Sequence, residues 1–201
     1  MNWTRILRVV GLVAILVAVV LLLDLTWVRA HLGGADSQLK LAYANAMGQG
    51  IDKDEESATH WYRRAAEQGD PRGQLALAIR YEQGVGVDAD AEAASDWYRR
   101  AVASGSAEAA LALSQRHYQG KGVPQDNVRS AMWLIIADRY AAARADGLEL
   151  LEVLKEELSG TELAEARRIA QDWRAANPVT VGPVLSPQDA AALGADSIPE
   201  S

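Results

Sequence analysis

The stretch WYRRAAEQGD, residues 61–70, returns as WYRRAVASGS at residues 97–106, with the starts 36 positions apart. A catalytic site is rarely written twice in one chain. A structural unit that buries its apolar face against a copy of itself is repeated by necessity. Working outward, Trp61, Trp97 and Trp133 hold the same 36-residue step. So do Gly48, Gly84 and Gly120; Gly50, Gly86 and Gly122; Asp54, Asp90 and Asp126; and Leu41, Leu77 and Leu113. Five columns in one register across three copies define a tandem array.

Each column has a mechanical reading. Leu39, Leu75 and Leu111 precede the Leu41 column by two and place a first helix in each unit, roughly 37–47, 73–83 and 107–118. The Gly-x-Gly that follows ends the helix, since glycine takes the left-handed C-cap without strain. Ile51, Val87 and Val123 come next and suit the seam between helices. Asp54, Asp90 and Asp126 are N-caps of a second helix. That helix carries Ala58, Trp61 and Ala65, then Ala94, Trp97 and Ala101, then Ser130, Trp133 and Ala137, one buried stripe each. Gly69 and Gly105 close the first two. The stripe predicts that Trp97 is buried between the first and third units. The pairs Arg63–Arg64 and Arg99–Arg100 read as a solvated face near a helix C-terminus, where cations are favoured; the third copy has Ile135–Ile136 there.

The run LAIRYEQGVGVDADAEAASDWYRRAVASG, Leu77 to Gly105, resembles the Sel1-like repeat, a tetratricopeptide-related helical hairpin. The first copy departs with Asn45 in the column of Tyr81, and the third with His117 there and Tyr118 one later. The resemblance covers about residues 36–142 and implies an all-α fold, an α-solenoid of stacked hairpins. It also implies that the first helices line a concave groove for an extended peptide or partner helix. Residues two and five positions after the Leu41 column would face that groove: Tyr43 and Ala46, Ile79 and Glu82, Gln115 and Tyr118.

The rest of the chain frames the array. The domains read as 1–31 anchor and linker, 32–143 three repeats (about 36–70, 72–106 and 107–142), 144–176 degenerate repeat and capping helices, and 177–201 tail. Val9 to Leu23 holds 15 residues without a charge, and with its flanks forms an apolar span over 6–28. About 20 residues cross a bilayer. Arg5 and Arg8 precede the span, which predicts a cytoplasmic N-terminus and repeats on the far side. The rival reading is a signal peptide cut after Val28-Arg29-Ala30. LELLEVLKEEL, Leu148 to Leu158, reads as the first helix of a degenerate fourth unit. LSGTELAEARRIAQDW, Leu158 to Trp173, resembles the helix that ends such arrays, with Ser159 and Glu162 as a capping box. Pro178, Pro183, Pro187 and Pro199 mark a tail without sustained period, expected to be mostly disordered, with a short turn of helix near Pro187–Leu193.

Charge and chemistry narrow the function. Net charge is −7 with no cysteine, which removes thiolate catalysis, disulfides and Cys-type zinc sites and argues against nucleic acid as a partner. His31, His60 and His117 form no metal-spaced pair, so no metal and no cofactor is expected. The Gly-x-Gly segments end helices, where a phosphate loop starts one. No Gly-x-Ser-x-Gly elbow is present. Glu55–Glu56 and Glu156–Glu157 read as surface pairs. The expectation is a non-enzymatic protein–protein interaction scaffold in the inner membrane of a bacterial envelope, repeats facing the periplasm. The alternative is an accessory protein that binds cell-wall or exported polysaccharide.

Overall fold

In a computed structural model of the chain, residues 33–138 and 145–178 are described. They form eight α-helices and no strand. The first repeat is α1 (Ala35–Met47) and α2 (Glu55–Glu67), the second α3 (Pro71–Gln83) and α4 (Ala91–Ala103), the third α5 (Ala107–Gln119) and α6 (Asn127–Asp138). Two further helices follow, α7 (Ala145–Glu157) and α8 (Gly160–Ala176). Among the described residues no helix is long and apolar enough to cross a membrane. The expected span at 6–28, the cleavage site at Val28–Ala30 and the short turn near Pro187–Leu193 lie outside the described residues, as do residues 179–201 of the expected tail.

Each hairpin is closed by the same local chemistry. Gly48, Gly84 and Gly120 are left-handed C-caps at φ of 67°, 68° and 69°. The amide of the capping aspartate then donates back into the first helix, Asp54 to the Asn45 carbonyl, Asp90 to that of Tyr81, and Asp126 to that of His117, at 2.8–2.9 Å. The aspartate carboxylates accept from the first turn of the second helix: Asp54 from Ser57, Asp90 from Glu92 and Ala93, Asp126 from Arg129. Those hydrogen bonds from Ser57 hold the Asp54 carboxyl below its ordinary range. Ala58 and Ala94, with Ala65, Ala101 and Ala137, are fully or almost fully buried. Small residues there let each second helix approach the next first helix. At Gly73 on α3 the approach is so close that a Cβ would stand 2.7 Å from the Ala66 amide nitrogen.

Three expectations need correction. Trp97 is only half-buried, whereas Trp61 and Trp133 are buried. Tyr98, one residue on, takes the inter-repeat seat at 2% exposure. Successive helical residues point about 100° apart, so two adjacent aromatic columns share the interior. Trp97 lies at the edge of the core, with the Arg100 guanidinium 4.5 Å from its ring centre. Ile51 does not plug a seam. It is 43% exposed, because no described helix precedes the first repeat, whereas Val87 and Val123 are half-buried. Arg63 is not merely solvated: its Nη2 donates to the Tyr81 hydroxyl of the next repeat at 3.1 Å, with the guanidinium over that ring.

The seams carry a pair of arginines, Arg80 and Arg116, 36 residues apart. Each leaves a first helix and enters the N-terminal turns of the second helix before it. Arg80 Nη1 donates to Glu55 Oε2 and Thr59 Oγ1, both at 3.0 Å, and to the Glu55 carbonyl at 3.3 Å. Burial raises the pKa of the Glu55 carboxyl, but hydrogen bonds from Lys53 and Arg80 outweigh it and hold the group below its ordinary value. Arg116 Nε donates to Ser95 Oγ at 3.1 Å, Nη1 to Glu82 Oε1 at 2.7 Å, and Nη2 to the Ala91 carbonyl at 2.7 Å. Each guanidinium also faces a buried tyrosine, Tyr62 or Tyr98. The carboxylate changes source between seams. Glu55 serves the first; its column holds Ala91 in the second, where Glu82 takes over.

At the far end, α8 packs on α6 more extensively than α7 does. Ala166 and Ala170 are fully buried, and Trp173 meets Trp133 edge to face at 5.4 Å. The Ser159–Glu162 capping box is formed. Helix α7 packs against α6, with Leu154 fully buried and Gly147 against Leu111 of α5.

Removing one partner of a buried ion pair strands the other. Arg116→Met is expected to cost about 3 kcal/mol in urea unfolding followed by circular dichroism. Glu82→Gln combined with it is expected to cost at least about 1 kcal/mol less than the sum of the single changes. A loss below about 0.5 kcal/mol for Arg116→Met, the level of an ordinary surface change, would remove the arginine from the seam's energetics.

Candidate functional site

The six groove positions sit on α1, α3 and α5, and the structure separates them into two columns. Tyr43, Ile79 and Gln115 form the first, and all three are half-buried. Ile79 also touches the main core from its edge. They therefore present part of their surface on successive first helices.

The second column is occupied by structural work. Ala46 is buried in the first repeat's own core at 8% exposure. Glu82 accepts from Arg116 and, at 2.6 Å, from the Tyr98 hydroxyl, with Lys121 Nζ 3.8 Å away. Burial, and then the Glu82 charge beside it, push the Tyr98 hydroxyl well above its ordinary pKa, so it donates as a neutral phenol. Tyr118 is half-buried against the main core and its hydroxyl reaches Glu157 Oε1 on α7 at 3.4 Å. Of the six positions, Tyr43, Ile79 and Gln115 thus stand as one half-buried column on successive first helices. Gln83 and Gln119 are exposed four residues further along α3 and α5, and Met47 lies at the same position on α1.

Chemistry-bearing groups are spread along the array. His60 is exposed and set edge-on to Trp61, while His117 is buried with Nδ1 on the Pro124 carbonyl. Among the described residues no group of three or more His, Asp or Glu side chains could hold a metal ion. Ser37 and Lys40 stand at Ser-x-x-Lys spacing, a pairing that some acyl-transfer enzymes use. Lys40 Nζ instead pairs with Asp36 at 3.2 Å, and its side chain is 80% exposed. Glu55 is no surface bystander, since it closes the first seam through Arg80.

Sequence reasoning passed over Arg80, Arg116, Thr59, Ser95, Tyr62 and Tyr98. The signal was available. Arg80 and Arg116, and Tyr62 and Tyr98, keep the 36-residue step. The first copy breaks the arginine column with Ala44, and no described helix lies ahead of it for an arginine to grip.

The Sel1 repeat family model matches residues 35–70, 71–106 and 107–137, which together make up just over half of the chain. No curated protein matches. Similar solved structures include two crystal structures of bacterial proteins. A protective antigen of uropathogenic Escherichia coli with an SLR fold aligns at 25% identity and a TM-score of 0.65 over 86% of this chain. The chain spans only 35% of that antigen's length. A Sel1 repeat protein from Oxalobacter formigenes aligns at 30% identity and a TM-score of 0.59, covering 66% of this chain and 98% of its own. Sel1 repeats generally mediate protein–protein interaction, and proteins of the family are typically non-catalytic scaffolds. With three matched repeats folded as stacked helical hairpins, the chain belongs to the Sel1 repeat family.

Proposed function

We propose that this protein is a non-enzymatic scaffold that holds a protein partner on the outward side of its first helices, tethered to a membrane with the array outside the cytoplasm. The observation that carries the binding face is the half-burial of Tyr43, Ile79 and Gln115 in one column along consecutive repeats. An aromatic, an aliphatic and an amide side chain in a line suit a peptide or helix with alternating apolar and polar groups. Tyrosine offers a large, rigid, amphipathic contact at low entropy cost. The second column, committed to Arg116, Tyr98 and α7, fixes the spacing of the first.

The tether rests on the sequence. The uncharged run Val9 to Leu23, preceded by Arg5 and Arg8, orients the chain with its N-terminus inside. Two outcomes are expected. A reporter active only in the cytoplasm, fused after Trp173, stays silent; a strong signal reverses the orientation. In crosslinking from intact cells read by mass spectrometry, Tyr43→Ala and Ile79→Ala each weaken capture of the crosslinked partner by about 1–2 kcal/mol, the range of a moderate interface anchor. Helical circular dichroism is expected to stay unchanged. Arg64→Ala and Arg100→Ala, on the second helices, are expected to leave capture intact. Loss with the arginines and not with Tyr43 or Ile79 moves the partner to the opposite side of the array.

A further inference from the structure

We propose that His117 makes the third repeat an acid-sensitive element: protonation of its ring loosens the Gly120–Asp126 loop and the seat of α6, and with it α8, while the first two repeats stay packed. His117 is 7% exposed on the last turn of α5. Its column is otherwise Asn45 and Tyr81, and neither changes charge near neutral pH. The repeats therefore differ in one titrating group at an equivalent position of the fold.

The surroundings favour the neutral ring. Nδ1 lies 3.3 Å from the Pro124 carbonyl, which can only accept, so Nδ1 carries the hydrogen and an added proton goes to Nε2. The bond to the loop carbonyl favours the protonated ring, but burial of the charge outweighs it and the net shift is downward. Arg99 from α4 and Arg129 from α6 both act against a further cation, and the Asp126 carboxylate is the negative charge acting on the ring. Asp126 is also engaged with Arg129, through that residue's backbone amide at 2.9 Å and its Nε at 3.4 Å. On α5 itself, Arg116 is bound to Glu82. From α7, Glu157 is bonded to Tyr118 and Asn127. Burial is the largest cause that lowers the His117 pKa, followed among the charges by Arg129 and Arg99.

The sign follows from linkage. The unfolded chain takes up this proton near pH 6.5 and the folded chain only below that. The contribution is whole above about pH 6.5 and is lost as pH falls from there toward the folded value. What loosens is defined by the contacts. The His117 carbonyl accepts from the Asp126 amide, and Asp126 caps α6, on which Trp173 of α8 rests.

The test is amide hydrogen exchange of the full chain at about pH 7.5 and about pH 5.5, corrected for intrinsic rates. Opening of residues 107–138 and 160–176 is expected to rise at the lower pH by at most about tenfold, the limit set by the one unit between pH 6.5 and pH 5.5, with residues 55–83 unchanged. His117→Tyr and His117→Asn, which install the residues of the other two repeats, are expected to abolish the rise. Exposed His60, replaced by Gln, serves as the control that leaves it in place. If the tyrosine variant opens at both pH values, the asparagine variant decides. A uniform change along the array, or a rise that persists in whichever variant folds, overturns the proposal.

Discussion

The array depends on how closely one repeat's backbone can approach the helix before it. Gly86 and Gly122, the second glycines of their Gly-x-Gly segments, lie directly on the preceding second helix. A Cβ on Gly86 would stand 2.0 Å from the Glu55 carbonyl oxygen, and one on Gly122 would stand 2.5 Å from both Ala91 Cβ and Arg116 Nη2. That proximity brings Arg80 and Arg116 within reach of the carbonyls, hydroxyls and carboxylates at the preceding helix's first turns. An arginine presents five donors in a rigid planar fork, a fixed geometry that lysine's compact three-donor ammonium lacks. The Thr59 hydroxyl completes the first seam by donating to the Val85 carbonyl at 3.0 Å. The glycines set the clearance, the arginines fill it with donors, and the alanine columns behind them let the helices close.

This explains how the end differs from the middle. The first repeat keeps Gly50 at φ 75°, yet a Cβ there would meet nothing within 4 Å. Its arginine column holds Ala44, and Met47 and Ile51 are exposed. The opposite end is covered by α8, whose Ala166 and Ala170 are buried and whose outer side carries Glu165, Arg168 and Asp172. Covering an end of a solenoid with a polar-backed helix is what keeps it soluble. Between the ends, the half-buried column on the first helices is held at repeat spacing by the seams.

Much of the fold was legible because its determinants are local and repeated. Glycine C-caps, aspartate N-caps and the alanine–tryptophan stripe each act within a few residues, and the three copies reinforce one another. Helix pairing followed from them. The seams were less legible, since their partners are 21 to 34 residues apart and the carboxylate switches from Glu55 to Glu82 between copies. A column that changes identity hides a conserved geometry. Trp97 misled for a different reason: the repeat pattern marks a residue type, and burial depends on what stands beyond it, α8 in the case of Trp133. Of the candidate site, Tyr43, Ile79 and Gln115 are half-buried, Ala46 is buried, and the half-buried Glu82 and Tyr118 are bonded to neighbouring helices because the same register also has to build the seams.

The clearance at the Gly-x-Gly segments is tested most directly by comparing Gly50→Ala with Gly86→Ala. Both glycines have positive φ, 75° and 64°, so each substitution carries a similar backbone strain of about 1–2 kcal/mol. Only Gly86 faces a preceding helix. If inter-repeat approach governs the array, unfolding in urea will show that Gly86→Ala loses more stability than Gly50→Ala by about 1–3 kcal/mol, the cost of overpacking a close contact. Equal losses at the two positions would contradict the account, because they would mean that glycine is needed there for its backbone angle alone.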